Sequence, residues 1–245
     1  MDLIQALAAE LGKDPRHVEN VVHLLDEGNT IPFIARYRKE LHGAMDDTSL
    51  RTLEERLQYL RGLEERREAV KKSIDEQGKL TDELTAAIDS AKTLAEVEDL
   101  YRPYKQKRRT RATMAKEKGL EPLAALLFAQ ERDCPRPEEA ARDFVDPEKG
   151  VETVEDALQG ASDIIAEQIS DDAAIRKSLR ALISRQGQLV SRAATEDDSV
   201  YRLYYDFTQS VARLQGHQVL AINRGEKEGI LKVTVALDRE QALPL

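Results

Sequence analysis

From Thr48 to Gln77, Leu50, Leu53, Leu57, Leu60, Leu63, Val70 and Ile74 recur at helical spacing with no proline and a single glycine among them. A helix over this span is about 45 Å long at 1.5 Å per residue, longer than a small domain is wide, so the surrounding chain must pack along it in pieces. Its outer face offers Glu64 to Arg67 and Glu68 to Lys72 as pairs three and four residues apart, and Gly78 ends it. Aromatic content of 4% with no Trp, beside 41% apolar residues, fits helices packed through Leu, Ile, Val and Ala. The 245 residues suffice for one large domain or two ordinary ones.

Before this rod, Leu3, Ile4, Leu7 and Leu11 form a stripe that stops at Gly12, and Asp14, Pro15 and Gly28 supply cap, first helical position and stop for a second helix. A third begins near Thr30 and Pro32, so residues 1–45 read as a three-helix unit compatible with a helix-turn-helix start. After the rod, helices enter at Thr81 and at Thr93, the latter with Glu96 placed for a capping box. A later pair carries Val154, Leu158, Ala161, Ile165 and Ile169, then Ile175, Leu179, Leu182 and Ile183. It reads as an antiparallel hairpin of helices, the second capped by Ser170 and stopped at Gly187.

The period then changes. Val219, Leu220 and Ile222, followed by Ile230, Leu231, Val233 and Val235, read as two short strands around a polar turn at Arg224 to Gly229. The expected fold class is therefore mainly α, a multi-helix chain with a helix-turn-helix-like start and a small β-hairpin or sheet near the C-terminus. The expected division is 1–45, a helical core over 46–187, and a mixed segment over 188–245. Two strands alone are marginal in water, so the sequence reads as the N-terminal portion of something longer.

No apolar run approaches a membrane span, and an acid, Asp2, stands where a signal peptide would be basic, so a cytoplasmic chain with no membrane partner is expected. Cys134 has no partner for an internal disulfide or a CxxC zinc site. His17, His23, His42 and His217 lack HExxH spacing, while caps and solvated charge account for Asp171-Asp172 and Asp197-Asp198. Gly225 and Gly229 belong to no GxxxxGK[ST] loop, and a turn between strands explains them. No catalytic residue, metal site or cofactor is assigned, and the chain is not read as an enzyme.

One stretch stands out against a formal net charge of -9. Tyr101 to Gly119, "YRPYKQKRRTRATMAKEKG", sets eight basic residues against Glu117, a local +7 that leaves -16 for the rest. Arg102, Lys105, Lys107, Arg108, Arg109 and Arg111 attract phosphates by a salt-dependent term, and Tyr101 and Tyr104 offer faces on which unpaired bases stack. Thr110 caps a short helix ending at Gly119, which puts Arg108, Arg109 and Arg111 at an end where the macrodipole disfavours cations. Two compensators stand open: an external anion, or carboxylates of the same chain, with Glu96, Glu98 and Asp99 just upstream. "ARYRKE" is a second basic and aromatic spot, with Arg36, Arg38 and Lys39 as groove contacts if the third helix reads nucleic acid, and with Phe33, Ile34 and Tyr37 as core anchors in the plainer reading.

"TIPFIARYRKE", "LRTLEERLQYLRGLEERREAV", "SIDEQGKLTDEL", "EVEDLYRPYKQKRRTRATMAKEKGLEPLA" and "VLAINRGEKEGILKV", in this order, resemble the N-terminal part of the bacterial Tex family of transcription accessory proteins. The resemblance spans almost the whole chain, and Leu100 to Ala124 is its most specific piece. It implies a cytoplasmic nucleic-acid-binding protein, related to a eukaryotic elongation factor that travels with RNA polymerase. Full-length members carry an RNase H-like domain, helix-hairpin-helix modules and an OB-fold RNA-binding domain, none of which is recognisable here. The expected function is stoichiometric binding of RNA or single-stranded DNA in transcription, with RNA polymerase or its associated factors as further partners. The alternative is an acidic helical scaffold that docks the transcription machinery without touching nucleic acid.

Overall fold

A computed structural model describes residues 3–106, 108–132, 134–196 and 198–244. The chain divides into two compact units, Met1–Tyr101 and Arg102–Leu245. In the first, the helices are α1 (Leu3–Leu11), α2 (Pro15–Asp26), α3 (Ile31–Tyr37), α4 (Asp47–Asp75), α5 (Asp82–Ser90) and α6 (Leu94–Tyr101). α4 is the rod. Asp46 caps it by accepting the Ser49 N–H at 2.7 Å, and Gly78, at φ 66°, lies just past its end. Leu50, Leu53 and Leu57 close a core with Leu7, Val18, Val21, Ile31 and Ile34, while α5 and α6 pack further along the same rod.

Two features of this unit depart from the apolar pattern. Arg67 occupies a core position of α4 and is only 3% exposed; its guanidinium donates to Glu64 Oε2 and to the Ala91 carbonyl, both at 2.6 Å. Burial of a charge is tolerated where it is paired and hydrogen-bonded in this way. The second is the group expected to anchor α3. Ile34 is fully buried, but Phe33 is half-buried and Tyr37 is 55% exposed, so Tyr37 is no core residue. α3 ends at Tyr37, with Arg38 as its C-cap and Lys39 in the following turn, so Lys39 does not lie on the helix.

The second unit contains α7 (Arg111–Glu117), α8 (Glu121–Ala129), α9 (Pro137–Ala141), α10 (Val154–Asp171), α11 (Ala173–Gln186), α12 (Gly216–Lys227) and α13 (Arg239–Ala242), with strands β1 (Gln188–Ala193), β2 (Asp206–Ser210) and β3 (Leu231–Ala236). α10 is its centre. Thr153 and Asp156 form a capping box at its start, and α7, α8 and α9 pack against it through Ala112, Ala115, Leu123, Ala157, Ala161 and Ile164. Gly160 permits the close approach, because a Cβ there would fall 2.3 Å from Leu120 Cδ1 and 3.3 Å from Ala115 Cβ.

α10 runs through Ser170 to Asp171, so the cap of α11 is Asp172, which accepts the Ile175 N–H at 2.8 Å, and not Ser170. A one-residue junction is shorter than the two to five residues of a helical hairpin, and α11 packs mainly on the turn Val211–Arg213 instead of folding back along α10.

The sheet has the order β2-β1-β3 and is antiparallel throughout, pairing Val190 with Thr208 and with Thr234. Of the two expected strands, the second is β3. The first is wrong: Val219, Leu220 and Ile222 lie in α12, and Gly225 is a helical residue pressed against Leu231 and Tyr201, not part of a turn between strands. Four apolar residues in a row do not distinguish strand from helix. The helix is fixed by Gln218, whose side chain accepts the Gln215 N–H at 2.9 Å, and by Gly229 at φ 74° beyond its end. The central strand β1 escaped detection because its fully buried residue is Ser191, which breaks any apolar alternation.

Candidate nucleic-acid interface

The basic stretch begins where α6 ends. Pro103 lacks the N–H that an α-helix would use, and Arg102–Tyr104 form a single 3-10 turn. Tyr101 belongs to the first unit, where its hydroxyl lies 3.0 Å from Ser73 Oγ and the Arg66 guanidinium sits 5.4 Å above its ring. Tyr104 is half-buried. Arg102 donates from Nε to Asp171 Oδ1 at 2.9 Å; Asp171 is only 8% exposed, so this contact ties the 3-10 turn to the end of α10. Thr110 then caps α7, accepting the Thr113 N–H at 3.0 Å, and Gly119 adopts φ 84° as the chain leaves.

The remaining cations divide into two groups. Arg109 pairs with Glu117 at 2.9 Å, Lys116 with Glu121 at 3.3 Å, and Lys118 donates to the Gly150 carbonyl at 2.7 Å. Lys105, Arg108 and Arg111 are exposed, and among the described residues no ion pair joins them to a carboxylate. Lys107 lies outside the described residues. Of the upstream acids, Glu98 accepts from Arg66 at 2.5 Å, and Asp99 is buried.

Lys105 and Arg111, with Arg102, line one side of a cavity of about 500 Å³ whose other side is α10. Asp163, Glu167 and Asp171 border it from that helix, four residues apart, so they stand on one face. Nothing in the residue pattern joins these acids to the basic stretch, because they are more than 40 residues away and their i, i+4 spacing is that of any helix face. Only the packing of α7 on α10 brings them together.

At the second spot, the Phe33 and Tyr37 rings lie 5.3 Å apart. The Arg38 guanidinium stands 5.2 Å from the Phe33 centroid and that of Arg36 stands 5.9 Å from the Tyr37 centroid, while Lys39 is exposed nearby in sequence. Two aromatic rings and two guanidinium groups thus share one surface of the first unit. Among the described residues no His, Cys, Asp or Glu group of three or more is arranged to hold a metal ion, and no helix is long and apolar enough to cross a membrane.

Fold and surface together define a helical chain of two units, with a small antiparallel sheet and exposed cations gathered at the start of α7. The chain belongs to the Tex family: residues 1–75 match the Tex-like protein N-terminal domain, and residues 133–244 match the Tex central region. It is 48% identical to YdcI of Bacillus subtilis (strain 168) over 95% of its length, covering 33% of that protein. It is 43% identical to the transcriptional accessory protein Tex of Neisseria gonorrhoeae over 96%, covering 31%. To S1 RNA-binding domain-containing protein 1 of Homo sapiens it is 31% identical over 96%, covering 24%. The chain spans about a third of the length of the bacterial relatives it matches.

Proposed function

We propose that this chain supplies nucleic-acid contacts to a transcription accessory protein, acting by stoichiometric binding and not by catalysis. The family and the name of the Neisseria relative support a transcription-related role. The observation that carries the binding reading is the set Lys105, Arg108 and Arg111: three exposed cations that no carboxylate answers among the described residues, in a stretch where Arg102, Arg109, Lys116 and Lys118 have partners. Unpaired surface cations bring together phosphates and release counterions, which gives affinity without sequence preference. The surface of Arg36, Tyr37, Arg38 and Lys39 is a second contact in this reading, its aromatic faces suited to an unpaired base.

The test is titration of single-stranded RNA and DNA at several salt concentrations. Binding should weaken as salt rises, and Arg108→Ala with Arg109→Ala should lower the logarithmic salt slope by about one to two. No binding at low salt, or binding indifferent to the double substitution, would sink the proposal.

A further inference from the structure

The cavity between the basic stretch and α10 presents a problem for a site that reads phosphate alone. Asp163, Glu167 and Asp171 line it, and a carboxylate that no cation neutralises repels a bare phosphate as surely as Lys105 and Arg111 attract one. Asp171 is neutralised by Arg102. Asp163 is not: it accepts a hydrogen bond from Gln159 Nε2 at 3.2 Å, and among the described residues no cation pairs with it. Lys105 and Arg111 therefore share a cavity with Asp163 without closing on it. A ligand that fits must carry negative charge at one end and hydrogen-bond donors at the other.

A ribonucleotide has that arrangement. Its phosphate is the anion, its ribose hydroxyls are donors, and the 2′-hydroxyl distinguishes RNA from DNA. The volume of about 500 Å³ lies within the roughly 300–1,000 Å³ of small-ligand sites. We propose that this cavity takes one ribonucleoside phosphate, with the phosphate on Lys105 and Arg111 and the ribose hydroxyls on Asp163. The inference deepens the binding function proposed above and rests on it. The same chemistry is presented by a residue of an RNA strand and by a free nucleotide.

Fluorescence anisotropy with an RNA oligomer, the DNA of the same sequence, and 2′-O-methyl RNA tests the site in the full 245-residue chain, with adenosine and guanosine monophosphates as competitors. The expected result is RNA bound about tenfold more tightly than DNA or 2′-O-methyl RNA, the worth of one hydrogen bond to a charged acceptor. Asp163→Ala should remove that preference by weakening RNA alone, while Lys105→Ala with Arg111→Ala weakens both strands. Circular dichroism establishes that the variants are folded. Displacement of the RNA by free monophosphates of ribose, but not of deoxyribose, also supports the site and identifies free nucleotide as a source. Equal binding of RNA and DNA by the unaltered protein, or a preference that survives Asp163→Ala, overturns the inference while leaving salt-dependent binding at Arg108 and Arg109 intact. Absence of all binding overturns both.

Discussion

α4 and the basic stretch are both rich in arginine, and they use it in opposite ways. Every arginine of α4 is joined to an acid: Arg51 to Asp47, Arg56 to Glu10, Arg61 to Asp26, Arg66 to Glu98 and Arg67 to Glu64. Two of these pairs are bidentate and tie the rod to α1 and α2. At the start of the second unit, Lys105, Arg108 and Arg111 have no such acid among the described residues. The density of positive charge along a chain therefore says little about binding. What separates a structural arginine from a candidate phosphate contact is whether the fold delivers a carboxylate to it.

The largest effect that follows is on Arg67. Replacing it with Ala empties a core position of α4 and strips the buried Ala91 carbonyl of its donor. The expected loss is about 2–3 kcal/mol in denaturant unfolding, combining a cavity with an unsatisfied acceptor. Arg67→Met keeps most of the volume and should cost about half as much. Equal losses would mean that the charge, and not the packing of the side-chain stem, holds the position. Neither change should alter nucleic-acid affinity if α4 is purely structural.

Much of this contrast was readable in advance, and the unreadable part has physical causes. The rod, its leucine stripe, the caps at Asp14 and Thr110 and the stops at Gly28 and Gly119 follow from local rules, and the structure has them. The cation cluster was visible as composition. Its sorting was not: Arg102 meets Asp171 across 69 residues, and Asp163 reaches the cavity only because Gly160, Ala157 and Ala161 let α7 lie close on α10. Tyr37 was misplaced because an aromatic residue on an apolar helix usually points inward, while here two guanidinium groups give the rings Phe33 and Tyr37 a reason to stay at the surface. Of the upstream acids, Glu98 looks like a partner for the cluster by proximity along the chain, yet it serves Arg66.

An intermediate effect separates the two regions directly. Arg108→Ala with Arg109→Ala removes one cation without a partner and one whose pair with Glu117 is well exposed on both sides. Surface pairs of that kind contribute little to folding, so the melting temperature should stay within about 2 °C of the unaltered protein. Nucleic-acid binding should fall in the same variant. A fall of several degrees would place these arginines with those of α4, as parts of the fold, and would undercut their reading as phosphate contacts.

The smallest effect is a pH dependence of the pairs that tie the rod to α1 and α2. The Arg56 guanidinium, hydrogen-bonded to Glu10, holds that carboxyl below its ordinary range against a smaller opposing push from burial, and Arg61 does the same for Asp26. A carboxylate depressed in the folded state contributes stability that is complete above its unfolded value, about 4, and is lost as pH falls through the lower folded value, where the unfolded chain takes up protons first. Melting curves should thus be flat with respect to these two groups from pH 7 to about 5 and decline below about 4. Arg56→Ala with Arg61→Ala should make that acid decline shallower without abolishing it, since Asp46 is also held low by its bonds to Ser49 and remains. Both pairs are two-fifths to half exposed on the acid side, so solvent screens them and the difference should amount to a few degrees at most. An acid decline identical in the double variant would show that the pairs tying the rod to α1 and α2 fix geometry without contributing pH-linked stability. Arg56 and Arg61 would then differ from Arg108 and Arg111 in having a carboxylate delivered to them, and not in any pH-linked contribution to stability.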